Sequence, residues 1–315
     1  MKHLTTTLLL LLATALAHAS GVEKRTYTFA IHQGDTLRLD RYTDNSVAAP
    51  ETGKPVILFA FGGGFSGGQR DESRYLPFFE FFAGQGYTVV STDYRTALKG
   101  LKGQPAGLEQ FATALGTAIH QACEDFLLAT NFVVSHSADW NINPGEIVAA
   151  GSSAGAITAL QTENFLCNPH PSIGALSADF NYAGVVSFAG AVMANGEPQW
   201  TKAPCPILLF HGDADANVPY DKLTVGNLGL YGSASIARQL TATATPHEFY
   251  TVRGADHGIA VSPMKDNLYD ILAFLKNLVK DRRQWIVNTT RTVPGTPADY
   301  KTDFTITDFI QNNLP

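Results

Sequence analysis

The chain has 315 residues, 45% of them hydrophobic and 16% charged, and a formal net charge of −6. With no basic run it lacks the electrostatic footprint of a nucleic-acid binder. The hydrophobic share suits one large α/β domain with a sizeable core.

Residues 1–19 read as an export signal. Lys2 and His3 supply the positive start, Leu4 to Leu16 an apolar run broken by threonines, and Ala17-His18-Ala19 a cleavage site. The apolar run is shorter than the roughly 20 residues of a membrane span. The expected product therefore starts at Ser20 and is a soluble periplasmic or extracellular protein with no stable membrane insertion. Neither a linker nor an internal repeat divides the remaining chain. Residues 20–281 read as one catalytic domain and 282–315 as a tail packed on it. Cys123, Cys167 and Cys205 lack the spacing of a metal site. They read as small buried hydrophobes, with room for one disulfide among them.

Residues 26–32 and 36–42 alternate as strands do, around a Gly34-Asp35 turn, and predict an antiparallel hairpin. The apolar run 55–61 predicts a buried strand. It feeds directly into Gly62-Gly63-Gly64-Phe65, where glycines allow the backbone to close on a ligand and turn its N–H groups inward. An aromatic helix over 73–84, a strand over 87–94 and a long helix over 106–135 come next. Asn143-Pro144-Gly145 predicts a turn into the strand Ile147-Val148-Ala149-Ala150. Further on come a helix over 154–166, a polar loop over 169–180, strands near 185–190, 206–211 and 247–252, and helical segments near 233–242 and 263–281. Strands that alternate with helices predict a mostly parallel sheet covered on both faces. Ligands of such sheets bind at the carboxyl ends of the strands.

Gly151-Ser152-Ser153-Ala154-Gly155 sits between a predicted strand and a predicted helix. G-x-S-x-G in that setting reads as a nucleophile elbow. A serine hydroxyl needs a base, and the base needs an orienting group. Seven histidines lie beyond the export signal. His257, in Gly254-Ala255-Asp256-His257-Gly258 after the last strand, is best placed to serve as base. His211 ends a buried strand and reads as structural. The preceding loop, 211–219, offers Asp213 and Asp215. Asp215 stands further out and reads as the acid, whereas Asp213 reads as a tie for the loop's own backbone. Oxyanion donors are expected from the amides of Gly63, Gly64 and Ala154.

Taken together, FGGGF (61–65), VVSTDYR (89–95), GSSAG (151–155), HGDADANVP (211–219) and GADHG (254–258) resemble the α/β-hydrolase superfamily, in particular secreted bacterial carboxylesterases of the hormone-sensitive-lipase-like kind. The resemblance implies a serine carboxylic-ester hydrolase with Ser153, Asp215 and His257 as its triad. Gly63, Gly64 and Ala154 form its oxyanion hole, and it needs neither metal nor organic cofactor. Phe61 stands where that family often has histidine. Short-chain, aryl or carbohydrate-linked esters, small or polysaccharide-bound, are the expected substrates. Phe65, Phe180, Tyr182, Trp200 and Tyr220 are candidate pocket walls, and 167–183 a candidate cap. The competing readings are a serine peptidase on the same fold, a lipid-interface lipase and a non-catalytic binding protein.

Overall fold

The computed structural model describes residues 21–32, 34–100, 107–170, 176, 179–297 and 299–313. The export signal read in residues 1–19 lies outside them. Nine strands form the central sheet: β1 (Val22–His32), β2 (Asp35–Asp44), β3 (Lys54–Ala60), β4 (Thr88–Thr92), β5 (Ile142–Ser152), β6 (Gly184–Phe188), β8 (Ile207–Gly212), β11 (His247–Arg253) and β12 (Ile286–Thr292). Their spatial order is β1-β2-β4-β3-β5-β6-β8-β11-β12. The β1–β2 and β2–β4 pairings are antiparallel, and every pairing from β4 to β12 is parallel. The fold is therefore the expected mostly parallel α/β sheet with an N-terminal antiparallel hairpin. A second, three-stranded antiparallel sheet, β7 (Ala191–Asn195), β10 (Leu228–Gly232) and β9 (Lys222–Val225), grows from the loops after β6 and β8.

Every residue of β4, β6 and β8 is buried, so both faces of the sheet are covered there. Among the described residues eight α-helices supply much of the cover: α1 (Leu76–Gly84), α2 (Leu108–Ser135), α3 (Ser137–Trp140), α4 (Ala154–Cys167), α5 (Ser233–Ala242), α6 (Pro263–Asp266), α7 (Leu268–Phe274) and α8 (Ile306–Asn313). The aromatic run 75–82 fills the core as packing. Tyr75, Phe78, Phe79 and Phe82 are fully buried, and Phe59 of β3 meets three of these rings at centroid distances of 4.9 to 6.0 Å. Helix α4 is buried along almost its whole length, polar residues included. Thr158 and Thr162 satisfy themselves on carbonyls four residues back, and Gln161 accepts the amide of Met193.

The structure departs from the expectations in four places. Strand β5 starts at Ile142 and carries the Asn143–Gly145 turn as an irregularity in its pairing with β3. The helix expected over 263–281 breaks at Asn267 and ends in a π-helical turn, Leu275–Lys280. The small sheet and β12 were not foreseen. Strands β9 and β10 are only four and five residues long. Most of β12 is exposed and polar, so pairing with β11, not an apolar pattern, makes it a strand. Finally, all three cysteines are buried and free, so the disulfide allowed for is not formed.

Candidate active site

Strand β5 ends at Ser152 and α4 begins at Ala154, which leaves Ser153 alone at the corner. Its backbone sits at φ 53°, ψ −118°, a conformation side chains avoid. The surroundings enforce it. The Ser153 amide donates to the Phe188 carbonyl of β6 (2.8 Å), and its carbonyl accepts the Ile157 amide (2.9 Å). The two motif glycines are steric necessities. A Cβ on Gly151 would lie 2.2 Å from the Gly155 carbonyl oxygen, and one on Gly155 would lie 2.1 Å from the Ala60 oxygen of β3. The neighbouring Ser152 hydroxyl donates to the Ala260 carbonyl (2.8 Å) and so ties the corner to the turn that starts at His257.

Three residues distant in sequence meet at this corner. Ser153 Oγ lies 2.8 Å from His257 Nε2, and His257 Nδ1 lies 2.7 Å from Asp215 Oδ2. Asp215 is almost wholly buried, whereas the His257 side chain is 24% exposed and open to a substrate. The second Asp215 oxygen, Oδ1, accepts the amides of Asn217 and Val218 (2.9 and 3.0 Å). Burial pushes the Asp215 carboxyl up. Hydrogen bonds from His211 and His257 outweigh it and hold the carboxyl well below the usual carboxylate range. Asp215 is thus an anion aimed at His257 Nδ1. That fixes the tautomer whose Nε2 accepts the Ser153 proton.

The glycine loop lies beside the corner. A Cβ on Gly62 would sit 3.2 Å from the Ser153 Cβ. Two tyrosines hold the loop's start. The Tyr94 hydroxyl donates to the Phe61 carbonyl (2.7 Å), and the Gly62 amide donates to the Tyr75 hydroxyl (3.0 Å). The Gly63 carbonyl accepts the amides of Ser66 and Gly67, both at 3.1 Å. At φ 145° Gly63 also takes a backbone conformation that favours glycine. Among the described residues the amides of Gly63 and Gly64 have no acceptor, and the Ala154 amide belongs to the first turn of α4, where such groups lack a helical partner. Phe61 stacks on Tyr94 at 4.4 Å and supports the loop by packing. Arg70, just beyond the loop, pairs with Asp93 (2.9 Å) and Asp40 (3.0 Å) and locks it to β2 and β4.

Comparison with known proteins adds to this geometry. Residues 39–192 match the BD-FAE family model, a stretch that holds the glycine loop and Ser153 but neither Asp215 nor His257. A thermophilic esterase from Thermogutta terrifontis, solved with propionate bound, superimposes with a TM-score of 0.58 at 20% identity, covering 82% of this chain and 94% of that one. The chain shares the α/β-hydrolase fold of that esterase. The same Thermogutta esterase phosphorylated by paraoxon gives a TM-score of 0.56 at 21% identity, over 83% of this chain and 94% of that one. Fumonisin B1 esterase of Sphingopyxis macrogoltabida is 29% identical over 124 residues, which are 39% of this chain and 22% of that protein. The match thus spans less than a quarter of that esterase's length.

Other expectations need correcting. Asp213 does not tie its own loop. Its Oδ1 accepts the Gly254 amide (2.7 Å) and its Oδ2 accepts the Tyr300 hydroxyl (2.6 Å), so it links the acid loop to the base loop and the tail. Segment 167–183 runs from the end of α4 to the start of β6. In a parallel sheet both ends of the segment therefore lie at the amino edge, opposite Ser153; residues 171–175, 177 and 178 of the candidate cap lie outside the described ones. Tyr182 and Phe180 pack together there (5.3 Å), and Trp200 follows Gln199, whose carbonyl accepts Asn164 and Asn168 near the end of α4. Of the candidate pocket aromatics, Phe65 and Tyr220 remain at the carboxyl edge. Phe65 is buried behind the glycine loop, and Tyr220 stands edge-on to His211.

A groove of about 940 Å³ also lies at the amino edge, lined by Tyr87, Asn181, Cys205, Thr245 and Lys276 among others. This groove and the Ser153–His257–Asp215 cluster thus lie at opposite edges of the sheet. Among the described residues no group of three or more His, Cys, Asp or Glu side chains is placed to hold a metal ion. No helix among them is long and apolar enough to cross a membrane.

His211 is the residue that sequence reasoning undervalued. It is fully buried, with Nε2 3.3 Å from Asp215 Oδ2. The signal was present in its position four residues before the acid, at the end of a buried strand.

Proposed function

We propose that the protein is a serine carboxylic-ester hydrolase that works through an acyl-enzyme. The observation that carries this reading is the continuous hydrogen-bonded line from Ser153 Oγ through His257 to Asp215, at 2.8 and 2.7 Å, on a strained corner beside the glycine loop. In the first step His257 takes the Ser153 proton as Oγ attacks the ester carbonyl. The amides of Gly63, Gly64 and Ala154 receive the oxyanion. The alcohol leaves with the proton from His257, and water then repeats the sequence on the acyl-enzyme. Asp215 stays ionised throughout and stabilises the imidazolium. The similarity to esterases supports the choice of esters over peptides. Short-chain, aryl or carbohydrate-linked esters are the substrate class we favour, and neither metal nor organic cofactor takes part. We also propose that the chain is exported after cleavage behind Ala19; N-terminal sequencing of the secreted or periplasmic protein should begin at Ser20.

The test is a panel of p-nitrophenyl esters from acetate to decanoate, with a prolyl anilide beside it. Turnover of short esters and not of the anilide is expected. Ser153→Ala should fold normally and lose roughly 10⁴-fold or more in kcat. Anilide cleavage in preference to esters, or a fully active Ser153→Ala, would overturn the reading.

A further inference from the structure

The Asp215 carboxylate faces two imidazoles. His257 Nδ1 reaches Oδ2 at 2.7 Å from the loop after β11, and His211 Nε2 reaches the same oxygen at 3.3 Å from the end of β8. His211 Nε2 also lies 3.2 Å from the Val218 carbonyl, and His211 Nδ1 lies 2.8 Å from the Ser233 hydroxyl. These partners decide the tautomer. Carbonyl and carboxylate are both acceptors, so Nε2 must carry the hydrogen. Nδ1 then accepts from Ser233, whose hydroxyl is free to donate. The Nε2 hydrogen of His211 then lies between the Val218 carbonyl and the Asp215 carboxylate.

We infer that His211 is a positioning residue of the catalytic device, which acts on His257 through the carboxylate they share. The inference rests on the ester-hydrolase reading for its kinetic test. With His211 in place, Oδ1 takes two amides while Oδ2 accepts from His257 and has the His211 Nε2 within 3.3 Å. The carboxylate therefore has no alternative rotamer that keeps its bonds. The second imidazole also takes up part of the negative charge that would otherwise act on His257 alone. Without it, Asp215 would hold the His257 imidazolium more tightly and keep more of the base protonated and idle at a given pH. The other titratable groups nearby are engaged elsewhere. Tyr220 presents its ring edge to His211 at 5.7 Å and bonds Thr251, and Asp213 is taken up by Gly254 and Tyr300.

The test is the pH profile of kcat/KM for the full chain and for His211→Phe, His211→Gln and Ser233→Ala. His211→Phe keeps the bulk and removes the donor. It should lose roughly 10- to 100-fold in kcat, keep KM within about twofold of wild type, and move the acid limb up by roughly half to one pH unit. His211→Gln retains an N–H near the Nε2 position and should recover most of both effects. Ser233→Ala frees the tautomer and should shift the limb in the same direction, less far; it serves if the Phe variant does not fold. A folded variant with wild-type kcat and an unmoved acid limb would overturn the inference, as would a loss equal at every pH. If wild-type protein hydrolyses no ester, the reading of function fails on its own. The His211 inference is then decided by following the His257 ring signals in NMR titrations: a higher midpoint in the Phe variant supports it, and an unchanged midpoint refutes it.

Discussion

Two carboxyls, Asp215 and Glu163, are buried at opposite edges of the same sheet, and their acidities are pushed in opposite directions. Asp215, at the carboxyl edge, has donors on both oxygens and is held as an anion. Glu163, towards the far end of α4, collects its donors on one oxygen. Oε1 takes the Cys205 amide (2.8 Å), the Asn181 side chain (3.2 Å) and the Cys167 thiol (3.3 Å), while Oε2 has no partner among the described residues. Burial pushes Glu163 up, and those bonds do not bring it back. The lesson is that burial alone does not decide a carboxyl's charge. What separates the two is the number and placement of donors, and at the carboxyl edge those donors come from the end of β8, the loop after it and the loop that carries His257.

The comparison can be broken most sharply at Asp215. Asp215→Asn should cut kcat roughly 10⁴-fold, because the amide can present its N–H to His257 and favour the wrong tautomer. The sign of its pH effect on folding is also fixed. A depressed carboxyl contributes stability above its unfolded value, near pH 4, and loses it as pH falls through the folded value. The variant's deficit in melting temperature should therefore be full at pH 7 and narrow in acid. Gly63→Ala comes next. Its Cβ would lie 2.2 Å from the Gly67 carbonyl oxygen at a φ of 145°, so the loop must shift. A loss of roughly 10²- to 10³-fold in kcat is expected, as for removal of an oxyanion donor. Tyr300→Phe removes one bond from the clasp that joins Asp213 to the base loop. A fall of about fivefold in kcat is expected, in line with about 1 kcal/mol for such a bond.

Glu163→Gln gives the smallest effect on turnover, and none is expected. Its effect is on stability. A raised carboxyl contributes stability below its unfolded value and loses it as pH rises through the folded value. Wild type and variant should therefore diverge as pH rises, with the variant gaining relative melting temperature. A kinetic defect in Glu163→Gln would erase the distinction between the two edges.

The carboxyl edge is also the part of the molecule that reads from sequence. Gly151 and Gly155 announce the corner around Ser153 because a side chain at either would strike backbone, and His257 and Asp215 come after strands whose apolar runs are plain. The glycine loop declares itself in the same way. The rest is set by tertiary contacts. Strand β12 reads IVNTTRT and becomes a strand by pairing with β11. Helix α8 depends on Phe309 packing against Phe111 (6.1 Å) and on Asn313 reaching the Asn217 carbonyl (3.1 Å). The aromatics proposed as pocket walls were misplaced for a topological reason. Composition shows that Phe180, Tyr182 and Trp200 are large and apolar, but only chain direction through the sheet shows that they sit at the edge away from Ser153. His211 was underrated because its partner, Ser233, is contributed by the start of α5, twenty-two residues on.

The most direct measurement is covalent. Full-length protein treated with a fluorophosphonate probe and digested should carry the label on the peptide that contains Ser153. Labelling should be lost in Ser153→Ala and strongly slowed in Asp215→Asn. A label on another residue, or equal labelling of the Ser153→Ala protein, would contradict the claim that this serine is the nucleophile.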